Sequence, residues 1–317
     1  RLKDLMLGKD IDEIDGIIYR DGRQIVTNQP TSVIDINDLP FPDYSSFELE
    51  KYVGGCVGVI TSRGCPYQCI FCPVGTSSHR RLRMRTVESV LEEIKFWHSQ
   101  GRFRLEVLDD NFTYERERVL KICEGIAEKR LDLLVLNCPN GVRADRVDKE
   151  ILLAMRLAHF NTIAFGVESG NDRILGNLKK GERLNKIEEA ISIACQLEFN
   201  VILFFLIGSP GETMDEVEDS FNLALKYPVQ DAVFYNLIPY PQTELYDWVY
   251  SNNYFLDFPP DYLKSSSSLL PEPVFHTAEF TKAQRIEALK MAQEVRKKVR
   301  TLSLKNRFKK IGILLML

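Results

Sequence analysis

The strongest constraint on the fold is a regular alternation of short apolar segments with longer amphipathic ones. The apolar segments that predict strands lie at residues 57–60, 104–108, 133–136, 162–165, 201–207 and 231–238. The segments with helical periodicity lie between them, at 87–98, 115–129, 149–157, 187–197 and 215–226. This pattern predicts an α/β fold with a parallel sheet, either an open doubly wound sheet or a partial (βα)6 barrel of the TIM type. In both architectures the chemistry gathers at the carboxyl ends of the strands.

Length, composition and charge indicate a globular protein. The 317 residues, of which 44% are hydrophobic and 27% charged, can bury one large core. The formal net charge of -4 gives no general attraction to polyanions, so we do not expect a nucleic-acid partner. No run approaches the roughly 20 apolar residues of a membrane span, and no secretory signal is evident, so we expect a cytoplasmic protein. Because the chain begins at Arg1 rather than Met, we expect a fragment of a longer protein.

The segment before the alternation has a different character. Residues 16–26 contain Asp-Gly between two apolar runs, which predicts a β-hairpin. The proline-rich residues 39–44 cannot continue a helix and predict an extended linker or lid. We therefore assign residues 1–56 to a connector and residues 57–250 to the α/β core.

The segment after the core, residues 251–317, is predicted to be a helical C-terminal extension. Its prolines and serines at 259–260, 265–268 and 271–273 predict irregular chain. Residues 281–300 have helical spacing and end in a run of Lys and Arg. We interpret this run as a solvated basic end that complements the helix dipole. The alternative is a surface that binds another domain, nucleic acid or anionic lipid.

Three of the seven cysteines, Cys65, Cys69 and Cys72, lie in one short segment directly after the first predicted strand. An odd number of cysteines in a chain without a secretion signal argues against a disulfide framework. A zinc site normally uses four protein ligands, and only His79 lies nearby as a fourth candidate. Three thiolates can hold three irons of a [4Fe–4S] cluster and leave the fourth iron open for a ligand.

The spacing C-x3-C-x2-C, on a loop after the first strand of a βα array, resembles the motif of the radical S-adenosylmethionine superfamily. The resemblance covers roughly residues 57–250 and implies the partial (βα)6 TIM-type barrel. It implies that the open iron binds the amino and carboxylate groups of S-adenosylmethionine. One electron, from a donor such as flavodoxin or ferredoxin, then cleaves this cosubstrate to methionine and a 5′-deoxyadenosyl radical that attacks a small-molecule substrate. Cys65, Cys69 and Cys72 would be the cluster ligands.

Polar residues at the ends of later predicted strands resemble the family's cosubstrate-binding positions. Asp110 is placed where family members hold the amino group, and Glu168 resembles the residue that binds the ribose hydroxyls. Lys180 resembles the basic residue that pairs with the methionyl carboxylate, with Arg143 as the alternative. Asn140, which comes shortly after the third predicted strand, is assigned to the same site.

The adenine side of the cosubstrate is assigned to one aromatic residue and two glycines. Phe71 resembles the position before the third cysteine whose backbone and ring meet the adenine. Gly208 and Gly211, in the turn after the fifth strand, let the backbone approach a ligand closely and resemble the family's adenine-side motif. For three polar residues at these strand ends, an alternative role is to cap the following helix: Asp109, Asn111 and Glu212.

The connector, especially residues 14–19 and 39–44, resembles that of the cobalamin-dependent subgroup, in which a cobalamin-binding domain precedes the radical core. The ligand motif Asp-x-His-x-x-Gly is absent from the sequence, so such a domain would lie before Arg1. The resemblance then implies methyl transfer to a small molecule, or its rearrangement. One alternative is methylthio transfer to tRNA or protein, which normally needs an extra cluster. An alternative of another class is a non-catalytic iron–sulfur electron carrier or regulator.

Overall fold

The structure is a computed structural model of the chain, and it describes residues 2–29, 34–51, 55–129, 131, 133, 135–256, 263 and 272–314. The chain divides into two compact units, Arg1–Phe41 and Pro42–Leu317. The prolines and serines predicted to be irregular, at 259–260, 265–268 and 271, lie outside the described residues.

The first unit contains the predicted hairpin and short helical segments. Strands β1 (Ile18–Asp21) and β2 (Gln24–Thr27) pair antiparallel, so the hairpin at Asp-Gly is confirmed. Asn28 follows β2, and its amide donates to the carbonyl of Ile11 at 2.9 Å and to that of Ile14 at 3.0 Å. The helical segments of this unit are α1 (Leu2–Met6) and the 3-10 turns Ile11–Glu13 and Ile36–Asp38.

The second unit is built on a six-stranded parallel sheet. In chain order its strands are β3 (Val57–Val59), β6 (Arg104–Val107), β7 (Val135–Val142), β8 (Phe160–Glu168), β9 (Asn200–Ile207) and β10 (Asp231–Asn236). Neighbours in space are neighbours in sequence, so every right-handed crossover places its helix on the same face. A doubly wound sheet would reverse its strand order at a switch point. The partial (βα)6 barrel is therefore confirmed.

The helices cover the outer face of this sheet, and the five predicted from periodicity are confirmed to within a few residues at each end. The helices of the barrel are α2 (Val74–Ser77), α3 (Val87–Ser99), α4 (Arg116–Glu128), α5 (Lys149–Leu157), α6 (Asp172–Asn177), α7 (Leu184–Gln196), α8 (Met214–Lys226) and α9 (Glu244–Ser251). Two further segments are the 3-10 turns Leu49–Lys51 and Ala144–Arg146. The sequence did not predict α6, because six residues are too few to show a helical period.

Strand β9 shows how the alternation of side chains separates the core from the barrel interior. Val201, Leu203, Phe205 and Ile207 are fully buried in the main apolar core. The residues between them, such as Phe204, point to the other face and are half-buried. The inner face of the sheet therefore lines a partly open cavity. The carboxyl ends of all six strands lie along one edge of this sheet, which forms the rim of the cavity.

Strands β7 and β8 extend further than the sequence predicted. β7 was predicted at 133–136 but runs to Val142, with an irregular register between Cys138 and Val142. β8 was predicted at 162–165 but runs to Glu168. The polar residues and glycines in these extensions hide the strand pattern, because they interrupt its apolar alternation. Asn140 and Glu168 consequently lie near the carboxyl ends of strands rather than after them.

The C-terminal extension ends in one long helix, α10 (Lys282–Leu314), which packs against β10 and α8. Arg296 ties it to the sheet by donating to both carboxylate oxygens of Asp231, at 3.0 and 2.7 Å. Helical spacing predicted this helix over residues 281–300, with a basic run that continues to Lys310. The helix is longer than predicted and includes the whole run, and its last described turn has no basic residue. The role of the run as a complement to the helix dipole stays a prediction. Within the described residues, no helix combines the length and hydrophobicity needed to cross a bilayer.

A close approach at Gly170 gives a test of how tightly the barrel is packed. A Cβ at this position would lie 2.6 Å from the backbone oxygen of Asp219, which cannot move as a side chain would. Gly170→Ala should therefore lower the free energy of unfolding by about 1 to 3 kcal/mol, measured by anaerobic chemical denaturation. The matched control is Gly176→Ala in α6, where a Cβ meets nothing within 4 Å. It should leave stability unchanged or raise it by up to about 1 kcal/mol. Equal effects of the two changes would contradict the packing.

Candidate functional site

The three cysteines lie together on the loop between β4 (Ser62–Arg63) and α2, at the carboxyl end of β3. Cys65, Cys69 and Cys72 are all free thiols and all half-buried, so they are reachable from solvent. The loop is entered through Gly64, whose φ of +91° favours glycine. A Cβ at Gly64 would lie 2.1 Å from the carbonyl oxygen of Arg81, so only glycine fits where these two backbones pass.

Two consecutive aspartates after β6 hold this loop in place. Asp109 accepts hydrogen bonds from the backbone N–H of Thr61 (2.6 Å), from its hydroxyl (2.5 Å) and from the hydroxyl of Ser62 (2.6 Å). Asp109 is buried, and burial raises the pKa of its carboxyl. Asp110 is exposed and accepts from the backbone N–H of Gly64 at 2.8 Å. Asp109 is therefore a structural bridge between strand ends, whereas Asp110 lies at the surface of the site.

Asp109 and Asn111 do not cap the next helix, so the alternative role considered for them is wrong. The N-cap of α4 is Glu115, whose carboxylate accepts from the backbone N–H of Arg118. Asn111 is buried instead, and neither its amide nitrogen nor its oxygen has a hydrogen-bond partner among the described residues. The buried hydroxyl of Thr113 also has no hydrogen-bond partner among them. Buried polar groups normally have partners, which a bound ligand or water supplies where the protein does not.

A buried ion-pair network joins the ends of β7 and β8. The ammonium of Lys180 donates to Glu168 at 2.9 Å and lies 3.3 Å from Glu182. Arg143 donates to the carbonyl of Lys180 at 2.7 Å and binds both carboxylate oxygens of Asp145, at 2.9 and 3.0 Å. Burial opposes the charged form of Lys180, but the carboxylates of Glu168 and Glu182 raise its pKa well above the usual value. Both cations thus already have carboxylate partners, and a further carboxylate would have to share them.

The backbone at Glu168 is strained in a way that places its side chain. Its φ is +64°, in the left-handed region, and the register of β8 shifts between Gly166 and Glu168. A Cβ on Gly166 would lie 2.8 Å from the Glu168 carboxylate and 3.0 Å from the Lys180 ammonium, so glycine leaves room for this pair. Such strain is retained where the surrounding structure requires it, often at functional sites.

Electrostatic contacts connect the cysteine loop to this network. Burial raises the pKa of the Cys69 thiol to about 11, and the nearby charges of Lys180, Glu168 and Arg143 act on it. Burial also raises the pKa of Cys72, and Glu168 adds to this effect. Metal coordination overcomes such shifts, because a coordinating thiol is deprotonated outright. The thiols, Glu168 and Lys180 therefore belong to one site.

Phe71 lies at the edge of a second, smaller apolar cluster. The backbone of its neighbour Ile70 donates to the carbonyl of Leu178 at 3.1 Å and accepts from the N–H of Leu245 at 3.0 Å. Phe71 is half-buried against this cluster, which contains Ile70, Ile174, Leu178, Leu237, Leu245, Val249 and Phe275. The cysteine loop is thereby fixed on α6 and α9 as well as on the aspartates of β6.

At Gly208 the missing side chain makes room for a guanidinium group. Its φ is +105°, and a Cβ would lie 1.9 Å from a terminal nitrogen of Arg285 on α10. Arg285 is fully buried and donates to the carbonyl of Phe275 at 2.6 Å. Gly211, with φ +71°, has no Arg285 contact; its nearest neighbours are Asn177 at 3.1 Å and Arg173 at 3.3 Å. Contact of either glycine with a cofactor stays a prediction.

Glu212 stabilises the same turn and does not cap the next helix. Its carboxylate accepts from the backbone N–H of Gly208 at 2.6 Å and of Ser209 at 3.0 Å. The N-cap of α8 is Thr213, in a capping box with Glu216. Complete burial raises the pKa of Glu212 to about 7 and lowers that of Arg285 to about 9. Each of these groups favours the charged form of the other.

Asn140 was identified from the sequence, and its amide donates to the carbonyl of Leu108 at 3.0 Å. Other residues that shape the site were not identified. Tyr67, between two of the cysteines, was not, although its ring lies 3.6 Å below the Arg143 guanidinium. Phe204 and Tyr235 contact each other edge to face inside the barrel. The available signal was that both are aromatic residues within predicted strands, 201–207 and 231–238.

The donor set fits an iron–sulfur cluster better than a mononuclear metal. No three His, Cys, Asp or Glu side chains in the described ranges are arranged around a single ion position. A [4Fe–4S] cluster does not need such convergence, because each thiolate binds a different iron. Three thiols on one loop also fall short of the four ligands of a structural zinc site.

Comparisons with known proteins agree with this geometry. The family model described as Radical SAM superfamily matches residues 59–224. The chain is 30% identical over 293 residues to an uncharacterized methyltransferase of Pyrococcus horikoshii, covering 91% of this chain and 62% of the relative. It is 31% identical over 249 residues to a putative methylthiotransferase of Methanocaldococcus jannaschii, covering 75% of this chain and 54% of the relative.

A solved structure has the same fold. It is the radical S-adenosylmethionine methyltransferase TsrM of Kitasatospora setae, with cobalamin and a [4Fe–4S] cluster bound, at a TM-score of 0.68 and 17% identity. The match covers 90% of this chain and 57% of that chain, so here too the chain spans less than two thirds of its relative. The family model covers more than half of the 317 residues. The protein belongs to the radical S-adenosylmethionine superfamily, whose enzymes use a [4Fe–4S] cluster and S-adenosylmethionine.

Proposed function

We propose that this chain is the radical core of a cobalamin-dependent enzyme that transfers a methyl group to, or rearranges, a small molecule. The observation that carries the proposal is the grouping of Cys65, Cys69 and Cys72 on one loop, beside the Glu168–Lys180 pair at the strand ends. We propose these three thiolates as the cluster ligands. When bound, the cluster supplies one electron and an open iron for the cosubstrate, and the protein supplies position.

The residues of the network would orient the cosubstrate. We propose that Glu168 accepts hydrogen bonds from the ribose hydroxyls, because its strained backbone already directs the carboxylate into the site. Lys180 pairs with that carboxylate and would share its charge with the methionyl carboxylate, and Arg143 holds Lys180 in place through its carbonyl. Asp110 would accept from the amino group with the oxygen that does not hold Gly64.

The remaining predicted residues would form the walls around the adenosyl group. We propose that Phe71 and the turn with Gly208 and Gly211 lie on the adenine side, since all three follow strand ends of the same rim. Asn140 is fixed to β6 and exposed, so it can face the cosubstrate. Together these groups would limit water near the radical and hold it in line with the substrate.

Three observations support the cobalamin-dependent class. The Pyrococcus relative is described as a methyltransferase, and the TsrM structure contains cobalamin. The chain spans between half and two thirds of these proteins, which leaves room in them for a further domain. We propose that this domain precedes Arg1, as the connector resemblance implies. We also propose that reduced flavodoxin or ferredoxin donates the electron.

Two alternatives remain distinguishable by experiment. The Methanocaldococcus relative is described as a putative methylthiotransferase, an activity that normally uses a second cluster. The other four cysteines are scattered over the described chain, at Cys56, Cys123, Cys138 and Cys195. A non-catalytic electron carrier needs a cluster with no open iron, which three cysteine ligands do not provide.

The cluster assignment predicts the iron content and its loss. The protein purified without oxygen should be brown and contain about four irons per chain. Cys69→Ala should abolish reductive cleavage of S-adenosylmethionine, whereas Cys195→Ala, on α7, should retain the iron and the cleavage activity. The measurements are iron analysis and chromatography of 5′-deoxyadenosine. Activity retained in Cys69→Ala, or a colourless protein filled with zinc, would refute the assignment.

The ribose assignment predicts a separable loss of binding. Glu168→Ala should weaken S-adenosylmethionine binding about tenfold or more, since a charge-assisted hydrogen bond contributes roughly 1.5 to 3 kcal/mol. The change also leaves Lys180 buried without its partner, which destabilises the fold. The comparison is therefore made on a Lys180→Met background: Glu168→Ala combined with Lys180→Met should have the higher melting temperature, yet bind S-adenosylmethionine more weakly than Lys180→Met alone in equilibrium dialysis. If the two variants bind equally well, Glu168 is only a structural partner.

The cobalamin proposal predicts what a longer protein will bind. A protein that includes the residues upstream of Arg1 should bind cobalamin in about a one-to-one ratio, visible as a cobalt absorption spectrum. The chain of 317 residues alone should cleave S-adenosylmethionine without transferring a methyl group, because the proposed cobalamin domain would form one wall of the pocket and exclude water. If the longer protein binds no cobalamin, the methyl-transfer proposal fails and the radical proposal survives.

A further inference from the structure

An unusually basic surface borders the cysteine loop. Four arginines form it, and we call them the arginine patch: Arg63, Arg80, Arg81 and Arg83. Three are exposed and Arg83 is half-buried. The sequence contains no aspartate or glutamate between Glu50 and Glu88, although the whole chain has a net charge of -4. The positive charge is therefore local to this loop and is not a property of the protein as a whole.

Two of these arginines face each other directly. Strands β4 and β5 (Arg83–Met84) pair antiparallel, and in their register Arg63 is the partner of Arg83. Side chains at directly opposite positions point to the same face, and like charges there destabilise the pairing. An anionic partner at this surface would offset the repulsion.

The protein itself does not supply that partner in the part of the chain that is described. None of the four arginines forms an ion pair there, and the side chain of Arg80 donates to the carbonyl of Tyr67 at 3.2 Å. The next arginine, Arg85, shows the contrast. It is buried and paired with Glu93, and it donates to the carbonyl of Ile60 at 3.0 Å. Arg85 therefore fixes the strand pair to the barrel.

The patch lies next to the cluster ligands. Arg63 is two residues before Cys65, and the Arg81 carbonyl occupies the space beside Gly64. The backbone N–H of Gly64 is held by Asp110, so this geometry is fixed. A protein that covers the patch would consequently come close to the three thiols.

We propose that the arginine patch docks an acidic protein that delivers one electron to the cluster. The inference rests on the proposed function, in which the site consumes an electron from outside for each turnover. The donor loses one electron and the cluster gains it; no bond forms or breaks at the patch, and no proton moves there. Complementary charge guides the donor to this surface and sets its orientation.

The experiment uses a recombinant bacterial flavodoxin as the acidic one-electron probe. The test variant combines Arg81→Glu with Arg83→Glu. The matched control combines Lys298→Glu with Arg300→Glu, which makes the same charge change at exposed positions of α10. Fluorescence anisotropy at low ionic strength should show affinity for flavodoxin reduced at least about tenfold in the test variant and little changed in the control. Added salt should weaken wild-type binding.

A second readout separates docking from damage to the site. S-adenosylmethionine cleavage driven by reduced flavodoxin should fall about tenfold in the test variant, while cleavage driven by dithionite should stay at the wild-type rate. Arg83→Glu alone should raise the melting temperature by about 1 to 3 °C, because it puts opposite charges across the strand pair. A stability gain with a binding loss is not expected of residues that serve only the fold.

The contrary results are specific. Equal loss of flavodoxin affinity in both variants would show a general charge effect and overturn the docking site. Equal loss of flavodoxin-driven and dithionite-driven cleavage would show that the change damages the site itself. If the patch variant loses affinity for a single-stranded RNA oligonucleotide while flavodoxin binding is unchanged, the partner is a nucleic acid and the proposal fails. If no S-adenosylmethionine is cleaved under any condition, the proposed function fails. The docking proposal is then still tested by the flavodoxin affinities of the two variants measured by anisotropy.

Discussion

The geometry of the site depends on the buried carboxylate of Asp109. It accepts three hydrogen bonds from Thr61 and Ser62 and so joins the end of β6 to the chain that leaves β3. A buried carboxylate is stable only when its oxygens are satisfied in this way. Because the cysteine loop starts immediately afterwards, these bonds fix where the loop leaves the barrel. Asp110 then fixes the loop at Gly64.

The architecture was predictable because its causes are local. A buried parallel strand is a short apolar run, and a covering helix has a period of 3.6 residues, so both are visible within a few positions. The cysteine spacing is local as well, and so is its place after the first strand. The ends of β7 and β8 were missed because Asn140, Gly141 and Gly166 look like loop residues. They lie in strands because the neighbouring strands supply the hydrogen bonds, which is a tertiary effect.

The partners of the site residues were less predictable than the residues themselves. Lys180 and Arg143 were expected to meet a ligand carboxylate, and the structure pairs them with Glu168, Glu182 and Asp145. Nothing in the local sequence distinguishes a cation that awaits a ligand from one already neutralised by its own chain. The reverse holds for the arginine patch, where the absence of acidic neighbours in the sequence is matched by the absence of ion pairs in the described chain.

The contact between Gly208 and Arg285 has a consequence for how this protein can vary. The guanidinium of a helix far along the chain fills the volume that a side chain at position 208 would need. A larger residue at 208 would clash with this guanidinium and would also strain a backbone whose φ is +105°, so a smaller residue at 285 would not by itself permit it. A smaller residue at 285 would instead leave a hole under the turn. The turn and the C-terminal helix are therefore matched parts, and a helix without arginine at this position could not replace the present one without loss of packing.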